Sequence, residues 1–371
     1  MNRSVTIEEL NAEEVKLLTP LLVFLGIIAS TGIPGNIIVC LVYRVTSKNS
    51  VSRFFIWWLA VIDIISCFVL FLEIVNVVKQ YTYTNTWLCK FTIFFTIWPV
   101  ITSGFGLCLI SIDRFLRVCK PLKKQISQKR AKLMCLATVF IALAFSWPSL
   151  ILFGTYTKEF SDHNLTSSTC TIQNEYQGTT YALIYNGFLW ILFVSVLIFL
   201  GVFYAMIGKK IFTQLGRRIS TSSICDQSKG NDNVSGDDVT TDTSFVAVKS
   251  RQNLFREHST ISRKMSTVST GTKLRLTSQR QAKARKSALV MFLISFVFVV
   301  SFLPYLILRM KEAFDATFVQ SMSNIGRACY KFFLRTYFLN CAINPFIYCA
   351  FAATFRQEVR AHFRRLFSKL R

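Results

Sequence analysis

Seven apolar stretches, each long enough to cross a lipid bilayer, constrain this chain more than any other feature of its sequence. A spanning helix needs about 20 apolar residues, because it rises 1.5 Å per residue across about 30 Å of hydrocarbon. The stretches are 17–43, 54–78, 91–112, 133–154, 181–208, 287–308 and 332–351. Because 52% of the residues are hydrophobic, we predict an all-α membrane protein, a bundle of seven transmembrane helices.

Lysine and arginine are concentrated in alternate connections between these stretches. They follow the first, third and fifth stretches and recur in the tail, whereas the connection after the fourth has only Lys158. Cytosolic loops carry this excess of positive charge. We therefore expect a multi-pass protein of the plasma membrane, with the N-terminus outside and the tail in the cytosol. This distribution explains the net charge of +24 without nucleic acid as a partner.

The rest of the chain divides into segments around the spans. Residues 1–16 are polar and form a short extracellular N-terminus, and residues 17–212 contain transmembrane helices one to five. Residues 213–284 are rich in Ser and Thr with little apolar periodicity, which predicts a disordered cytosolic loop. Residues 285–351 contain helices six and seven. In residues 352–371 phenylalanines recur at helical spacing between arginines, which predicts an amphipathic cytosolic C-terminal helix on the inner leaflet.

Four residues on the predicted outer side are candidates for covalent modification. Cys89 precedes the third span and Cys170 follows the fourth, in a compartment that permits disulfides. A bridge between them would hold the outer loop across the mouth of the bundle. Asn2 and Asn164 begin Asn-X-Ser/Thr sequences, which predicts glycosylation at both.

Polar residues inside the spans are functional candidates, because ionisable groups at membrane depth are costly. Asp63 lies in the middle of the second span, and Asn36, Ser103, Asn340 and Asn344 lie at similar depth in other spans. They predict either a cavity that holds water or a monovalent cation, or a purely structural hydrogen-bond cluster.

Two further features lie along the inner half of the bundle. Asp113 and Arg114 are adjacent at the inner end of the third span. Pro304 and Pro345 each remove a backbone hydrogen bond from their helix and permit a kink.

Taken in chain order, these residues resemble the signatures of the rhodopsin-like (class A) G-protein-coupled receptors. The matching segments are Gly35-Asn36 (GN), Leu59–Asp63 (LAxxD), Cys89 with Cys170 (the outer disulfide), Asp113-Arg114-Phe115 (DRY), Tyr204 (the fifth-helix tyrosine), Phe298–Pro304 (FxxCWxP) and Asn344–Tyr348 (NPxxY). The resemblance covers nearly all the membrane portion of the chain. It implies a receptor that an outside ligand activates and that catalyses nucleotide exchange on a heterotrimeric G protein.

The resemblance also implies roles for individual residues. G-protein coupling and activation fall to Asp113, Arg114, Phe115, Tyr204, Asn344, Pro345 and Tyr348. The connector between ligand and G protein comprises Phe298, Phe302 and Pro304. A sodium ion in the bundle core would be held by Asp63, Ser103, Asn340 and Asn344; no other cofactor is implied.

The chain departs from the family pattern at several positions. Phe115 replaces the usual Tyr, Phe302 the frequent Trp and Ser301 the frequent Cys. Val196 stands in place of the fifth-helix Pro, and Gly104 in place of a bulky aliphatic residue. The segment Lys283-Ala284-Arg285 offers no acid to pair with Arg114. We therefore expect a differently packed connector and detectable basal signalling.

The outer half of the bundle suggests the class of ligand. Thr96 stands where amine receptors have an ammonium-binding Asp, which argues against a biogenic amine. The pocket candidates are Glu73, Thr96, Phe302, Arg309 and Arg335. Their charges suit a peptide, although Glu73 and Arg335 would equally pair with each other.

The family is silenced by receptor kinases and arrestin. After Tyr348 the tail offers only the hydroxyls of Thr354 and Ser368, so the Ser/Thr-rich loop 213–284 is the predicted site. The main alternative function is a transporter or channel with Asp63 as a cation site. We do not expect an enzyme, because the spans contain one deep Asp and no Ser–His or Cys–His pairing.

Overall fold

The computed structural model describes residues 6–45, 50–160, 165–229, 285–312 and 321–370, together with residue 282 and residues 318–319. Asn2, Asn164 and most of the loop predicted to be disordered therefore lie outside the described residues. The two ends of the bundle are called outer and inner, after the topology that the charge distribution predicts.

The described chain is mainly helical. Its first part contains α1 (Ile7–Leu17), α2 (Thr19–Val45), α3 (Val51–Val78), α4 (Thr86–Cys119), α5 (Gln128–Ser146) and α6 (Ser149–Leu152). Two strands follow, β1 (Phe153–Phe160) and β2 (Leu165–Ile172). The remainder contains α7 (Thr180–Lys229), α8 (Arg285–Glu312), α9 (Asn324–Phe333), α10 (Leu339–Phe351) and α11 (Ala353–Leu370). Short 3₁₀ turns lie at Asn174–Tyr176 and Thr336–Phe338.

Six described segments are long and apolar enough to cross a membrane: Thr19–Tyr43, Val51–Val78, Thr86–Cys119, Gln128–Leu152, Thr180–Thr213 and Arg285–Glu312. A seventh, Asn324–Phe351, qualifies when it is counted together with α11, which turns away from it by 95°. The polar residues Arg335, Asn340 and Asn344 lower the hydropathy of this last span. The predicted bundle of seven spans is confirmed, and α11 leaves it at nearly a right angle.

A β-hairpin lies at the outer end, where the sequence predicted only a loop. Strands β1 and β2 pair antiparallel, from Phe153 opposite Ile172 to Phe160 opposite Leu165. The disulfide between Cys89 and Cys170 ties β2 to the start of α4, with 5.5 Å between the two Cα atoms. The predicted pairing of these cysteines is confirmed, and the hairpin is an addition to the predicted helical bundle.

The N-terminal segment is also more ordered than a polar extension. Thr6 and Glu9 form a reciprocal capping box that begins helix α1. Asn11 fastens α1 to the end of the second span: its Nδ2 donates to the carbonyl of Val78, and its Oδ1 accepts from the amide of Tyr81, each at 2.9 Å.

At the inner end, two helices extend beyond the spans. Helix α7 continues to Lys229, so the segment predicted to be disordered from residue 213 begins as helix; residues 230–281 lie outside the described part. Helix α11 confirms the predicted C-terminal helix. Its Phe355 is buried against Tyr43 and Tyr348.

Candidate functional site

Arg114 lies buried at the inner end of α4, with 3% of its surface exposed. Its Nη1 donates to Ser287 Oγ of α8 at 2.7 Å, which joins the inner ends of spans three and six. Its Nη2 lies 3.5 Å from Asp113 Oδ2. Asp113 makes its shorter contact with Arg117, whose Nε donates at 2.9 Å. Arg114 is therefore a buried cation held by a hydroxyl and by only a loose ion pair.

Two tyrosines implicated by the resemblance lie close to this arginine. The hydroxyl of Tyr204 is 3.0 Å from Ser295 Oγ. This contact joins spans five and six deeper in the bundle than the bond between Arg114 and Ser287. Tyr348 is 1% exposed, and its hydroxyl has no hydrogen-bond partner among the described residues. Phe115 packs edge-on against Phe203 of α7, with ring centroids 5.5 Å apart. Of the inner candidates, Asp113, Tyr204 and Tyr348 thus lie near the buried guanidinium.

The predicted polar centre is present in the middle of the bundle. Asn344 Nδ2 donates to Asp63 Oδ2 at 2.7 Å, and Asp63 is 1% exposed. Ser103 and Asn340 line a cavity of about 20 Å³. The oxygens Asp63 Oδ1, Asn340 Oδ1 and Asn344 Oδ1 are buried without a hydrogen-bond partner among the described residues. Asn36 Oδ1 is likewise buried without a partner among the described residues, while its Nδ2 donates to the carbonyls of Gly32 and Cys341.

The connector is a stack of aromatic rings on α8. Phe298 and Phe302 have ring centroids 4.8 Å apart, and Phe302 continues to Tyr337 of span seven at 5.2 Å. Gly104 lies beside this stack, where a Cβ would make ordinary van der Waals contacts at 3.6 Å from Phe298 and 3.7 Å from Val196. Two departures from the family pattern, Gly104 and Val196, therefore lie next to each other beside Phe298. Pro304 lies further along α8, which remains helical through it.

The outer candidates form two groups: Thr96 and Phe302 lie at a small cavity deep in the bundle, and Glu73 and Arg335 lie nearer its outer end, here called the rim. Thr96 and Phe302 line the same small cavity as Ser103, and the described residues around it include no carboxylate. Thr96 donates its hydroxyl to the carbonyl of Thr92 at 2.8 Å. At the rim Arg335 Nε donates to Glu73 Oε1 at 2.7 Å. Of the two alternatives that the sequence left open, ligand binding or pairing with each other, the structure shows the pairing.

Arg309 pairs with Glu312 on its own helix at 2.7 Å, and about half of its side chain is exposed. Its guanidinium lies 5.8 Å from the ring centroid of Tyr305, which packs edge-on against Tyr337 at 5.5 Å. Arg309 is therefore connected through two aromatic rings to Phe302, which also packs against Tyr337.

The sequence matches the family described as 7 transmembrane receptor (rhodopsin family) over residues 35–348. The chain belongs to this family. Its members are signalling receptors and not enzymes.

Three similar proteins illustrate the breadth of the family. The chain is 30% identical over 153 residues to the C3a anaphylatoxin chemotactic receptor of Danio rerio, covering 40% of each protein. It is 25% identical over 346 residues to trace amine-associated receptor 4 of Mus musculus, covering 91% of this chain and 83% of that one. It is 27% identical over 187 residues to neuropeptide FF receptor 2 of Rattus norvegicus, covering 48% and 45%. The first and third alignments thus span less than half of those receptors.

Sequence reasoning missed several residues of the receptor. Ser287 is the partner of Arg114, although only the absence of an acid nearby was noted. Glu14 of α1 accepts a hydrogen bond from Lys331 Nζ at 2.7 Å, and Glu312 accepts one from the hydroxyl of Tyr330 at 2.8 Å. Leu122, in the short inner loop after α4, is fully exposed.

We expect Ser287→Ala to raise basal nucleotide exchange about threefold or more. The hydroxyl is the observed link between Arg114 and α8, and a hydrogen bond to a charged group contributes about 1.5–3 kcal/mol. Ser287→Asp should lower basal exchange, because a carboxylate would hold the guanidinium more firmly. GTPγS binding to added G protein in membranes measures both. Ser301→Ala is the control, since that hydroxyl bonds only to a carbonyl of its own helix; equal exchange in all four proteins would contradict the assignment.

Proposed function

We propose that the protein is a plasma-membrane receptor, with its N-terminus outside the cell, that binds an extracellular peptide and activates a heterotrimeric G protein. The observation that supports coupling to a G protein is the hydrogen bond between Arg114 and Ser287. A neutral hydroxyl closes the inner end of the bundle, and the arginine it holds has an Nε without a hydrogen-bond partner among the described residues. Such a group is ready to donate to a protein partner when spans three and six separate.

Activation then follows from the contacts described. Separation of α8 from α4 breaks the bond from Arg114 to Ser287, and Tyr204 and Tyr348 lie close enough to offer hydroxyls to the released guanidinium. The ring stack of Phe298, Phe302 and Tyr337 extends from the inner part of α8 to the small cavity lined by Thr96 and Ser103. A ligand that prefers one packing of the stack shifts the population toward the open inner face, in proportion to its differential affinity.

Two observations favour a peptide over an amine ligand. An ammonium group in the deep cavity would meet Thr96 and no described carboxylate. Charged groups stand instead at the rim, where the N-terminal helix, the hairpin and span seven offer a broad polar surface. The similarity to a trace amine-associated receptor covers more of the chain than that to a neuropeptide receptor, so an amine remains the second candidate.

A single screen tests both class and ligand. Cells expressing the receptor with a promiscuous G-protein reporter are exposed to a peptide library and, in parallel, to a panel of biogenic and trace amines. We expect responses to peptides alone, which disappear in untransfected cells. Responses to amines alone would overturn the peptide proposal, and ion currents or substrate uptake would restore the transporter or channel alternative.

The polar centre fits a sodium ion. A hard monovalent cation prefers oxygen ligands, and three buried oxygens of Asp63, Asn340 and Asn344 have no hydrogen-bond donor among the described residues. Ser103 lines the adjoining cavity and supplies a hydroxyl. A bound cation would neutralise the carboxylate of Asp63 and join spans two and seven.

We expect sodium to lower basal nucleotide exchange and Asp63→Asn to remove this dependence. An ion that prefers the closed state opposes activation by linkage. GTPγS binding is measured while sodium replaces N-methylglucamine at constant ionic strength, with Phe68→Leu as a control on the same helix, because Phe68 is exposed and does not line the cavity. A mutant with unchanged sodium sensitivity would rule out the site.

We also propose that receptor kinases and arrestin act on the loop 213–284. We expect deletion of residues 219–272 to abolish arrestin recruitment while leaving surface expression and nucleotide exchange near normal. The reason is that most of the cytosolic hydroxyls lie there, and each phosphate adds about −1.5 to −2 charges. Truncation after Phe367, which removes only Ser368 among the hydroxyls, is the control. Normal recruitment by the deletion variant would show that arrestin binds elsewhere.

A further inference from the structure

Three cations lie along the outer part of span seven. Arg327, Lys331 and Arg335 are spaced four residues apart, which places neighbours on the same side of a helix. Two carboxylates from other elements meet them. Glu73 of α3 accepts from Arg335, while Glu14 of α1 accepts from Lys331 Nζ at 2.7 Å and lies 3.9 Å from Arg327 Nη2. The cluster therefore joins span seven both to span two and to the N-terminal helix.

The contact between Glu14 and Lys331 is largely withdrawn from water. Their side chains are 6% and 18% exposed, and Lys331 also donates to Gln80 Oε1 at 2.8 Å. Removing one member of a buried ion pair leaves an uncompensated charge, which is strongly destabilising. Among the described residues Lys331 and Arg327 have no carboxylate partner besides Glu14. Whatever displaces Glu14 must therefore bring an anionic oxygen, and a cationic group would meet two like charges.

Helix α1 is suited to be displaced. It has 11 residues, precedes the first span and is separated from α2 by Leu18 alone. Its position against the bundle is fixed by Glu14 and by the two bonds of Asn11. Glu73 and Arg335, in contrast, both belong to spans of the bundle. An arriving ligand can exchange with Glu14 without moving a span, but it cannot exchange with Glu73 in that way.

We propose that Lys331 and Arg327 form a recognition site for a carboxylate of the extracellular ligand, and that Glu14 occupies this site until the ligand displaces α1. The inference rests on the proposed receptor function and narrows it, because the peptide must present a free C-terminus or an acidic side chain. Tyr81 lies at the same site: burial first, and the charge of Glu14 second, raise the pKa of its hydroxyl. A carboxylate in the position of Glu14 finds this hydroxyl as a third donor.

The N-terminal segment itself is the probe for this site. A fluorescent peptide of residues 1–17 is titrated onto the full-length receptor in nanodiscs, and its anisotropy reports binding. The Glu14→Gln receptor no longer places a carboxylate in its own site, so we expect it to bind the peptide at least about tenfold more tightly than the wild type does. The Glu13→Gln receptor is the matched control and should resemble the wild type, because Glu13 is an exposed carboxylate on the same helix.

Further variants separate recognition from misfolding. On the Glu14→Gln receptor, a peptide carrying Glu14→Gln should bind at least about tenfold more weakly than the natural peptide. Adding Lys331→Glu to this receptor should abolish binding of the natural peptide and restore binding of a Glu14→Lys peptide. The proposal is overturned if no peptide binds the Glu14→Gln receptor, if the natural and Gln peptides bind equally, or if the charge reversal restores nothing. Failure of nucleotide exchange would instead refute the receptor function and leave these binding results unaffected.

Discussion

Arg114→Ala is expected to reduce nucleotide exchange to background, a loss of at least about tenfold, which corresponds to 1.4 kcal/mol of lost transition-state stabilisation. The guanidinium is the buried cation that spans three and six enclose, and no other described cation takes its place between Asp113 and Ser287. Exchange is measured as GTPγS binding with purified G protein, at matched surface expression. Basal activity suffices for this test, so it does not depend on a known ligand.

Arg117→Ala supplies the control for this experiment. Arg117 is one turn further along α4 and holds the same carboxylate, Asp113, at 2.9 Å, but 30% of its side chain is exposed. Its loss disturbs Asp113 without removing the enclosed cation, so exchange should stay within about threefold of the wild type. Equal losses in the two variants would mean that the orientation of Asp113 matters rather than the donors of Arg114. Full activity of Arg114→Ala would refute its role in coupling.

The membrane makes the spans of this receptor readable from its sequence. Hydrocarbon requires long apolar helices, and the charge of the loops orients them, so the bundle was predicted without any contact information. The bond between Asp63 and Asn344 was also within reach, because a carboxylate at that depth needs a polar neighbour and few exist. The pair of Glu73 and Arg335 was foreseen as an alternative to ligand binding for the same reason.

Contacts between distant segments could not be predicted in this way. Glu14 and Lys331 are 317 residues apart, and nothing local distinguishes Glu14 from the exposed Glu13. The partner of Arg114 depends on how α4 and α8 are rotated against each other, and Ser287 is one of many hydroxyls near the inner side. The hairpin was missed because Leu165–Ile172 is a run of Ser and Thr whose pairing is held by a disulfide and by Tyr83. The packing of Gly104 against Phe298 is likewise a property of three helices together.

Removal of the outer disulfide is expected to have the second large effect. Cys89→Ser and Cys170→Ser should each reduce surface expression by at least about half, and to the same degree, because each removes the same bond. The bridge closes a segment of 81 residues, and loss of a native disulfide typically costs about 2–5 kcal/mol. The hairpin keeps other anchors: the amide of Tyr83 donates to the carbonyl of Ser168 and the amide of Ser168 to that of Tyr81, each at 2.9 Å, and the hydroxyls of Thr86 and Thr155 are 2.7 Å apart. We therefore expect a weakened receptor rather than a complete loss.

The double variant decides whether one bond explains both effects. Flow cytometry of an epitope-tagged receptor should give the same expression for Cys89→Ser, Cys170→Ser and the two combined, because residues that share one interaction are not additive. Cys329→Ser is the matched control: this exposed cysteine is free in the structure and also lies at the outer end, so its replacement should change nothing. Fully additive losses in the double variant would mean that each cysteine acts separately, and the position of the hairpin would then depend on its hydrogen bonds to Tyr81, Tyr83 and Thr86.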